Sequence, residues 1–555
     1  MKKIYFSALA LMVAGAVNAQ GWWTGTSYRG AFPQTDGLTG IASNDWTAGW
    51  TNFSPEDAAY GAPTVTVSSD ITANTTWTTG SIVLLQNKIY VKNGATLTIQ
   101  PGVIVRGEKA SQGTLIITRG SKINAQGTAQ APIVFTSAEA DVDRAPGDWG
   151  GVLILGNGIL NQPGGVANVE GLTATSDTQY GGNDNSDSSG VFSYCRIEFS
   201  GIALQPNKET NGLTLAAVGN RTKLDHIQIS FSGDDGIEWF GGHTNTKYVI
   251  SFRSLDDDFD TDFGAKGNVQ FGLAVRDADL SDAAGDSNGF ESDNEGTSPY
   301  LAQPKTSLVF SNITMVGPLR NGTVTLPGTE KFERAVYTRR NTNIGIYNSI
   351  FTSWEKGWHV KDAVTNDNFA ADSTRFANNI ISSDIATTFV IDGASNSTTT
   401  FYNTYAALMS IDTASTNAQI NFVNGFAANL SSVPDYRLDP TSVAISGASF
   451  NHPAFANNVI GVKENKNETV SSVKVYPNPA ANNVSVKLNM VQTETVSVNI
   501  YDITGKNVAT VYANELLNEG THTLSVNTST FDNGMYFVSI TTNSTKQTVK
   551  LIINK

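Results

Sequence analysis

The stretch IVLLQNKIYVKNGATLTIQPGVIVRG at residues 82–107, followed by GTLIITRGSKINAQGTAQAPIVFTS at 113–137, decides the fold. Apolar and polar residues alternate over short runs, as they do in β-strands that bury one face. Asn-Gly, Pro-Gly, Arg-Gly and Gln-Gly pairs separate the runs, and such pairs are typical of tight turns. The stretch therefore predicts short strands joined by turns and repeated along the chain.

Residues 61–460 continue this pattern without an obvious linker. They are too long for one compact core, because single cores stop growing at about 250–300 residues. A solenoid avoids that limit, since each coil packs only on its neighbours. Four similar strand-edge phrases each carry an asparagine placed to hydrogen-bond along the stack: Asn312, Asn348, Asn379 and Asn403. We predict an all-β chain built on a right-handed parallel β-helix that resembles the pectin-lyase type, with a large β-sandwich or a propeller as the alternative.

The composition narrows the class of protein. Charged residues make up 15% of the chain, below the roughly 25% of soluble domains. The net charge of −14 disfavours nucleic acid as a partner and suits cations or cation-bridged glycans. The single cysteine, Cys195, cannot form an internal disulfide and is predicted to be a buried strand residue.

Three acidic phrases form the candidate site: SGDDGIEWFGG at 232–242, LDDDFDTDFG at 255–264 and DSNGFESDNEG at 286–296. Aligned on their central apolar residue, they place Glu238, Asp260 and Glu291 in register at steps of one coil. Parallel strands stack at about 4.8 Å, so these carboxylates would form an outward ladder of like charges. Two charges at that distance repel by about 3 kcal/mol at an effective dielectric near 20.

This repulsion would be compensated by raised pKa values, by a bound cation such as Ca²⁺, or by neighbouring Arg and Lys side chains. A solvated acidic edge, whose aspartates cap backbone amides, is the simplest explanation and stays open beside catalysis. The candidate Ca²⁺ ligands are Glu238, Asp257, Asp258, Asp260, Asp262, Glu291 and Asp293.

The first two phrases are similar to the paired-aspartate motifs of polygalacturonase-like glycoside hydrolases. That resemblance implies catalytic roles for Asp235, Asp256 and Asp257 in an inverting hydrolysis. The Gly-His-Gly and Arg-Ile-Lys motifs of that family are absent from this chain. A polysaccharide lyase, which would use Ca²⁺ and an Arg or Lys base, is the other enzymatic alternative.

The last 85 residues show the same alternation in a separate unit and predict a small C-terminal β-sandwich. Their motifs closely resemble the type A sorting domain of type IX secretion in Bacteroidota. The residues that carry this resemblance are Tyr476, Pro477, Asn478, Pro479, Gly505, Gly534 and Tyr536. It implies handling by the type IX secretion machinery and export through the periplasm to the cell surface or the extracellular medium.

The N-terminus agrees with export. Lys2 and Lys3 precede a short apolar run, and small residues before Ala19 predict signal-peptide cleavage between Ala19 and Gln20. No transmembrane segment is expected in the mature chain. The predicted order is a signal peptide at 1–19, an aromatic-rich N-terminal cap at 20–60, the β-helix at 61–460, a linker at 461–469 and the sorting domain at 470–555.

A broader resemblance covers residues 22–460, where GDWGGVLILGNG at 147–158 and NGLTLAAVG at 211–219 are similar to a family of uncharacterised secreted β-helix proteins of Bacteroidota. It implies fold and location but no reaction. We expect an adhesive or glycan-binding surface protein with a Ca²⁺-compatible acidic face. The alternative is a carbohydrate-active enzyme.

The two ends of the chain generate the first testable prediction. The exported protein should lack residues 1–19 and most of 470–555, because signal peptides and sorting domains of this kind are removed during export. Mass spectrometry of the extracellular protein measures both ends. An exported form that keeps the C-terminal IINK tail would contradict the second cleavage, and a variant without 470–555 should stay in the periplasm.

Overall fold

A computed structural model gives the fold and describes residues 22–206, 208–282, 285–320, 326, 331–370, 375–392, 409–426, 434–455, 459–460, 470–490, 492–502, 506–542 and 546–555. The chain forms two compact units, Met1–Ile460 and Gly461–Lys555. The predicted signal cleavage at Ala19 and Gln20, the linker at 461–469, Asn403 and Gly505 lie outside the described residues.

The first unit is a parallel β-helix, as predicted, and one of its faces is a sheet that we call sheet A. Within the described residues sheet A has ten parallel strands, each paired with the strand of the next coil. In order they are Lys88–Val91, Thr114–Ile117, Val152–Leu155, Leu213–Ala216, Ile237–Phe240, Phe259–Asp262, Phe290–Ser292, Arg334–Thr338, Lys356–Val360 and Thr387–Ile391.

The other faces of the coils belong to a second sheet, sheet B, with sixteen strands in the described part of the chain. The strands are Val65–Val67, Thr75–Trp77, Ile82–Leu85, Thr96–Ile99, Ile104–Gly107, Lys122–Gln126, Ile133–Ser137, Gly190–Glu198, Lys223–Ser230, His243–Phe252, Lys266–Val275, Val309–Val316, Gly345–Tyr347, Ile350–Thr352, Arg375–Ala377 and Ile380–Ile381.

Sheet B bends within its long strands. At the bend Tyr194, His226, Tyr248 and Phe271 all have positive φ, between 50° and 63°, although bulky side chains rarely adopt this conformation. Their rings stack from coil to coil with centroids 4.1, 4.5 and 5.1 Å apart. The stacked rings thus accompany a backbone bend that single residues of this type would disfavour.

The core follows the predicted alternation. Ile237 and Trp239 face inward and are fully buried, whereas Glu238 between them faces outward. Phe259 and Phe290 continue the inward row with ring centroids 5.3 Å apart. Cys195 is buried as predicted. Apolar stacking inside the coils therefore fixes which residues sheet A presents to solvent.

The N-terminal segment differs from the expected cap over the first coil. The backbone of Asn52 is hydrogen-bonded to the Gln228 side chain, and the backbone of Thr24 to the Gln270 side chain. Asn312 accepts from the Gln270 side chain of the neighbouring coil at 3.1 Å, as expected for a bond along the stack, and it also donates to the carbonyls of Tyr28 and Gly30. The segment therefore lies along the side of many coils, because their buried apolar and amide groups offer it partners.

Short elements complete this unit. Trp23–Thr24 pairs with Val459–Ile460, Ala167–Asn168 with Gln179–Tyr180, Ala203–Gln205 with Lys208–Glu209, and Phe422–Asn424 with Asp435–Leu438. Among the described residues, the α-helices are Ala363–Ala370 and Asn417–Ile420, and the 3-10 turns are Pro55–Asp57, Asp141–Asp143, Pro163–Gly165, Val443–Ile445 and Pro453–Phe455. None of the helices in the described ranges has the length and apolarity needed to cross a bilayer.

The second unit is the predicted β-sandwich. One sheet contains Val470–Tyr476, Asn483–Met490 and Gly520–Asn527. The other contains Asn507–Leu517, Glu494–Asp502, Gly534–Thr542 and Lys546–Ile553. The alternating Val484, Val486 and Leu488 are buried in its core, as predicted.

The sorting motif has a structural role in this unit. The Asn478 side chain donates to the Lys550 carbonyl and accepts from the Ile552 amide, both at 2.8 Å. These two bonds attach the segment that contains Pro477 and Pro479 to the last strand of the chain. Asn478 therefore acts there as a side-chain substitute for a strand pairing.

Candidate functional site

The three acidic phrases pair on consecutive coils of sheet A in the predicted register. Glu238 lies opposite Asp260, and Asp260 lies opposite Glu291. Asp262 follows two residues after Asp260 and faces the same way, because side chains alternate along a strand. The predicted alignment of the ladder is confirmed.

The turns before these strands use aspartates as backbone caps. An Asp235 carboxylate oxygen accepts from the Asp257 amide at 2.9 Å, and an Asp257 oxygen accepts from the Asn288 amide at 2.7 Å. Each carboxylate therefore holds the turn of the next coil. The structure places Asp257 in this capping role and in neither of the carboxylate clusters described below.

Asp258 is not part of the outward ladder. It is fully buried, accepts from the Ser251 hydroxyl at 2.6 Å and pairs with the Arg276 guanidinium at 3.0 Å. Burial raises its pKa to about 6, and Arg276 opposes this shift. Its predicted role as a metal ligand is wrong, because its carboxylate faces a buried arginine and not the outer face of sheet A.

Arginines compensate the far end of the ladder. Glu291 pairs with Arg339, and Asp293 pairs with Arg339 at 2.7 Å and with Arg340 at 2.5 Å. These predicted ligands therefore already have cationic partners. Asp262, at the edge of this group, accepts from the Phe263 amide at 2.6 Å.

The near end of the ladder has a different environment. Asp235, Glu238 and Asp260, which we call the carboxylate trio, each place one oxygen within 4.8 Å of the others. No ion pair joins these three residues to a basic side chain in the described part of the chain. Asp234, Asp235 and Asp256 form a second, overlapping cluster at the same separation.

Two buried oxygens, one within the trio and one beside it, lack hydrogen-bond partners. They are Oδ1 of Asp260 and Oδ1 of Asn211. Asn211 is 95% buried, and its amide donates to Glu238 at 2.5 Å and to Thr214 at 3.3 Å. Buried oxygens without partners are costly and call for a ligand, water or ion.

The trio lies at the floor of a cavity of about 680 Å³, which we call the acidic cleft. Two strand pairs, Ala167–Asn168 with Gln179–Tyr180 and Ala203–Gln205 with Lys208–Glu209, form two hairpins that we call the arch, along one side of it. Tyr180, Phe240 and Phe263 contribute aromatic surface, and Arg339 and Arg340 lie at the far end. The ladder therefore lies in a concave site.

Sequence reasoning missed Asn211, Tyr180 and the arch. Asn211 stands 27 residues before Glu238 in a phrase that carries no acidic residue, and the arch comes from irregular insertions between coils. The only signal for Asn211 in the sequence was the repeat spacing, because the phrase at 211–219 lies one coil before the strand that contains Glu238.

Burial dominates the electrostatics of the cleft. It raises the pKa of Glu238 well above its usual range, and the adjacent Asp260 adds to the shift. The pKa values of Asp260 and Asp235 are raised for the same first reason. Burial also raises the pKa of Asp234 to about 8 and that of Asp256 to about 9. Without a cation, the cleft therefore holds protons at neutral pH.

Comparisons with known proteins agree with the fold. A family model described as a pectate-lyase-like beta helix domain matches residues 69–427, well over half of the chain. A model described as a secretion system C-terminal sorting domain matches residues 474–554.

A solved structure, the Dettilon tailspike protein, is similar over 85% of this chain and 84% of that chain, with 10% identity and a TM-score of 0.22. So low a TM-score supports no argument about function. No curated protein sequence matches the chain significantly.

The raised carboxyl pKa values predict how stability depends on pH. In EDTA, the melting temperature should fall between about pH 7 and pH 9. A carboxyl group whose pKa is raised in the folded state contributes stability that is complete below its unfolded pKa, near 4. This contribution is lost as the pH rises through the folded pKa, which is about 8 for Asp234 and about 9 for Asp256. Burial lowers the pKa of Lys247 to about 8, and this shift changes stability in the opposite direction. It involves one group, whereas several carboxyl groups have raised pKa values.

Differential scanning calorimetry at several pH values measures this slope. The double variant Asp234→Asn, Asp256→Asn should reduce this slope, and the remainder comes from the other cleft carboxyls with raised pKa values, Asp235, Glu238, Asp260 and Asp262. A melting temperature that stays constant or rises over this range in the wild-type protein would contradict the prediction.

Proposed function

Because the chain belongs to the pectate-lyase-like β-helix family, we propose that its acidic cleft binds a glycan through a divalent cation such as Ca²⁺. The type IX sorting domain directs the protein to the cell surface or the extracellular space. Binding there would make it an adhesive or glycan-capturing protein. We infer that its route passes through the periplasm.

The observation that carries the proposal is the carboxylate trio together with its two unpartnered oxygens. Ca²⁺ takes six to eight oxygen ligands at about 2.3–2.6 Å, so two ligands on opposite sides of the ion lie about 5 Å apart. The trio oxygens, within 4.8 Å of one another, match this spacing. Oδ1 of Asp260 and Oδ1 of Asn211 would gain a partner from an ion beside them.

The surroundings of the trio suit a sugar. A cleft of about 680 Å³ lies within the usual range for ligand sites, about 300–1,000 Å³. The partly exposed rings of Phe240 and Phe263 line it and offer apolar faces to sugar rings. The trio supplies acceptors for hydroxyl groups, and a cation would leave coordination positions for glycan oxygens.

A carbohydrate-active enzyme is the second candidate. It is supported by the cluster of Asp234, Asp235 and Asp256, which contains two of the three residues implied by the hydrolase resemblance. The oxygens of this cluster lie within 4.8 Å, closer than the roughly 6.5–9.5 Å between the carboxyl groups of inverting hydrolases. The third residue, Asp257, uses one oxygen to cap a backbone amide. The spacing disfavours the inverting hydrolysis that the resemblance implies.

The cation proposal predicts a calorimetric signal. Titration of Ca²⁺ into metal-free protein should release or absorb heat, and Ca²⁺ should raise the melting temperature, because an ion that binds only the folded state stabilises it. Glu238→Gln or Asp260→Asn should abolish both effects, since each removes a charged ligand of the trio.

Asp262→Asn is the matched control, since it removes one carboxylate charge from the same cleft but leaves the trio intact. It should retain Ca²⁺ binding. The cation site is refuted if millimolar Ca²⁺ gives no heat with the wild-type protein. It is also refuted if Asp262→Asn loses Ca²⁺ binding as completely as the trio variants do.

Polygalacturonate distinguishes a binder from an enzyme. The wild-type protein should bind this polymer in Ca²⁺ and release it in EDTA, without forming reducing ends or unsaturated products. Asp260→Asn should lose the Ca²⁺-dependent binding. Product released in excess over protein, and lost in Asp235→Asn, would establish the enzymatic alternative instead.

A further inference from the structure

A second cavity, of about 510 Å³, lies on the other side of the arch. The arch residues 171–178 and 204–205 line it on one side. Lys88 and Tyr90 of the first strand of sheet A, and Lys92 just after that strand, line it on the other. None of the carboxylate trio reaches it. It is therefore a site of its own that shares a wall with the acidic cleft.

The arch is fastened in place. Lys208 of one hairpin pairs with Glu170 of the other, and Gln205 donates to the Gly171 carbonyl at 3.0 Å. Below it an apolar cluster joins the arch to sheet A through Leu160, Val169, Tyr180, Ile116 and Leu153. The wall between the two cavities is thus supported by packing.

The charged groups of the second cavity balance one another. Lys92 pairs with Asp70 at 2.7 Å and with Asp177 at 3.0 Å, so its charge is neutralised from both sides. Lys88 donates to the Gln112 side chain at 2.8 Å. The cavity therefore presents donors and acceptors without an excess of charge, which favours a neutral, hydroxyl-rich ligand over an ionic one.

Tyr90 gives the cavity an aromatic surface. Its side chain is half-buried and lies 5.9 Å from the Lys92 ammonium, measured to the ring centre. It occupies the same outward row of sheet A as Glu238, four strand pairings away, or about 19 Å. A ring with polar groups on its margin is the arrangement that receives the apolar face of a sugar.

We propose that this cavity is a binding subsite for a neutral sugar residue, which stacks on Tyr90 and hydrogen-bonds to Asp70, Asp177 and Lys92. The subsite needs no cation. It rests on the proposed function only in that both sites take carbohydrate.

Affinity electrophoresis tests the subsite in gels that contain xylan, laminarin or hydroxyethylcellulose, with EDTA present throughout. At least one of these neutral polymers should retard the wild-type protein. Tyr90→Ala should weaken that retardation about tenfold, whereas Tyr90→Phe should keep it, because the ring face provides the contact. Asp177→Asn, a change on the partly exposed surface of the arch, should weaken it without affecting folding.

The cation-site variant Asp260→Asn separates this proposal from the preceding one, since it should bind the neutral polymers like the wild-type protein. Thermal melting verifies that each variant is folded. The subsite is refuted if none of the three polymers retards the wild-type protein, or if folded Tyr90→Ala and Asp177→Asn migrate as the wild type does. It is also refuted if Asp260→Asn abolishes retardation in EDTA.

Discussion

In-register stacking of parallel strands is the constraint on which the rest of the β-helix depends. At a spacing of about 4.8 Å, each side chain meets its equivalents on the coils above and below. Inside the coils this places Ile237, Phe259 and Phe290 in one continuous apolar row, which stabilises the stack. Outside, the same register places Glu238, Asp260 and Glu291 side by side, where their charges repel. The core and the candidate site are therefore two consequences of one register.

The protein compensates this repulsion unevenly along the ladder. Turn aspartates cap amides of the next coil, and Arg339 and Arg340 neutralise Glu291 and Asp293. Within the carboxylate trio only Asp235 caps an amide, no arginine pairs with any of the three in the described residues, and burial raises the pKa of all three. The carboxylates without arginine partners thus lie together at one end of the ladder, and this is where we propose that a cation binds.

Irregular insertions, and not the repeat, shape the space above the ladder. The two hairpins of the arch leave the coils, pack on the outward apolar residues Ile116 and Leu153, and divide the face of sheet A into two cavities. The cavities differ in charge: the acidic cleft carries an excess of carboxylates, whereas Lys92 is balanced by Asp70 and Asp177 in the second. One regular sheet therefore offers two sites of different chemistry.

The sequence by itself determined the β-helix, the sorting domain and the register of the ladder, because alternation and motif spacing depend on neighbours along the chain and on equivalent positions of successive coils. It could not determine which carboxylates share a ligand. Asp257 and Asp258 belong to the same acidic phrase as Asp260, yet one caps an amide and the other faces Arg276. The course of the N-terminal segment and the position of the arch were likewise decided only by the tertiary structure. These contacts join residues far apart in the chain, with no periodic pattern to mark them, and are selected by the packing and hydrogen-bonding partners that the folded coils provide.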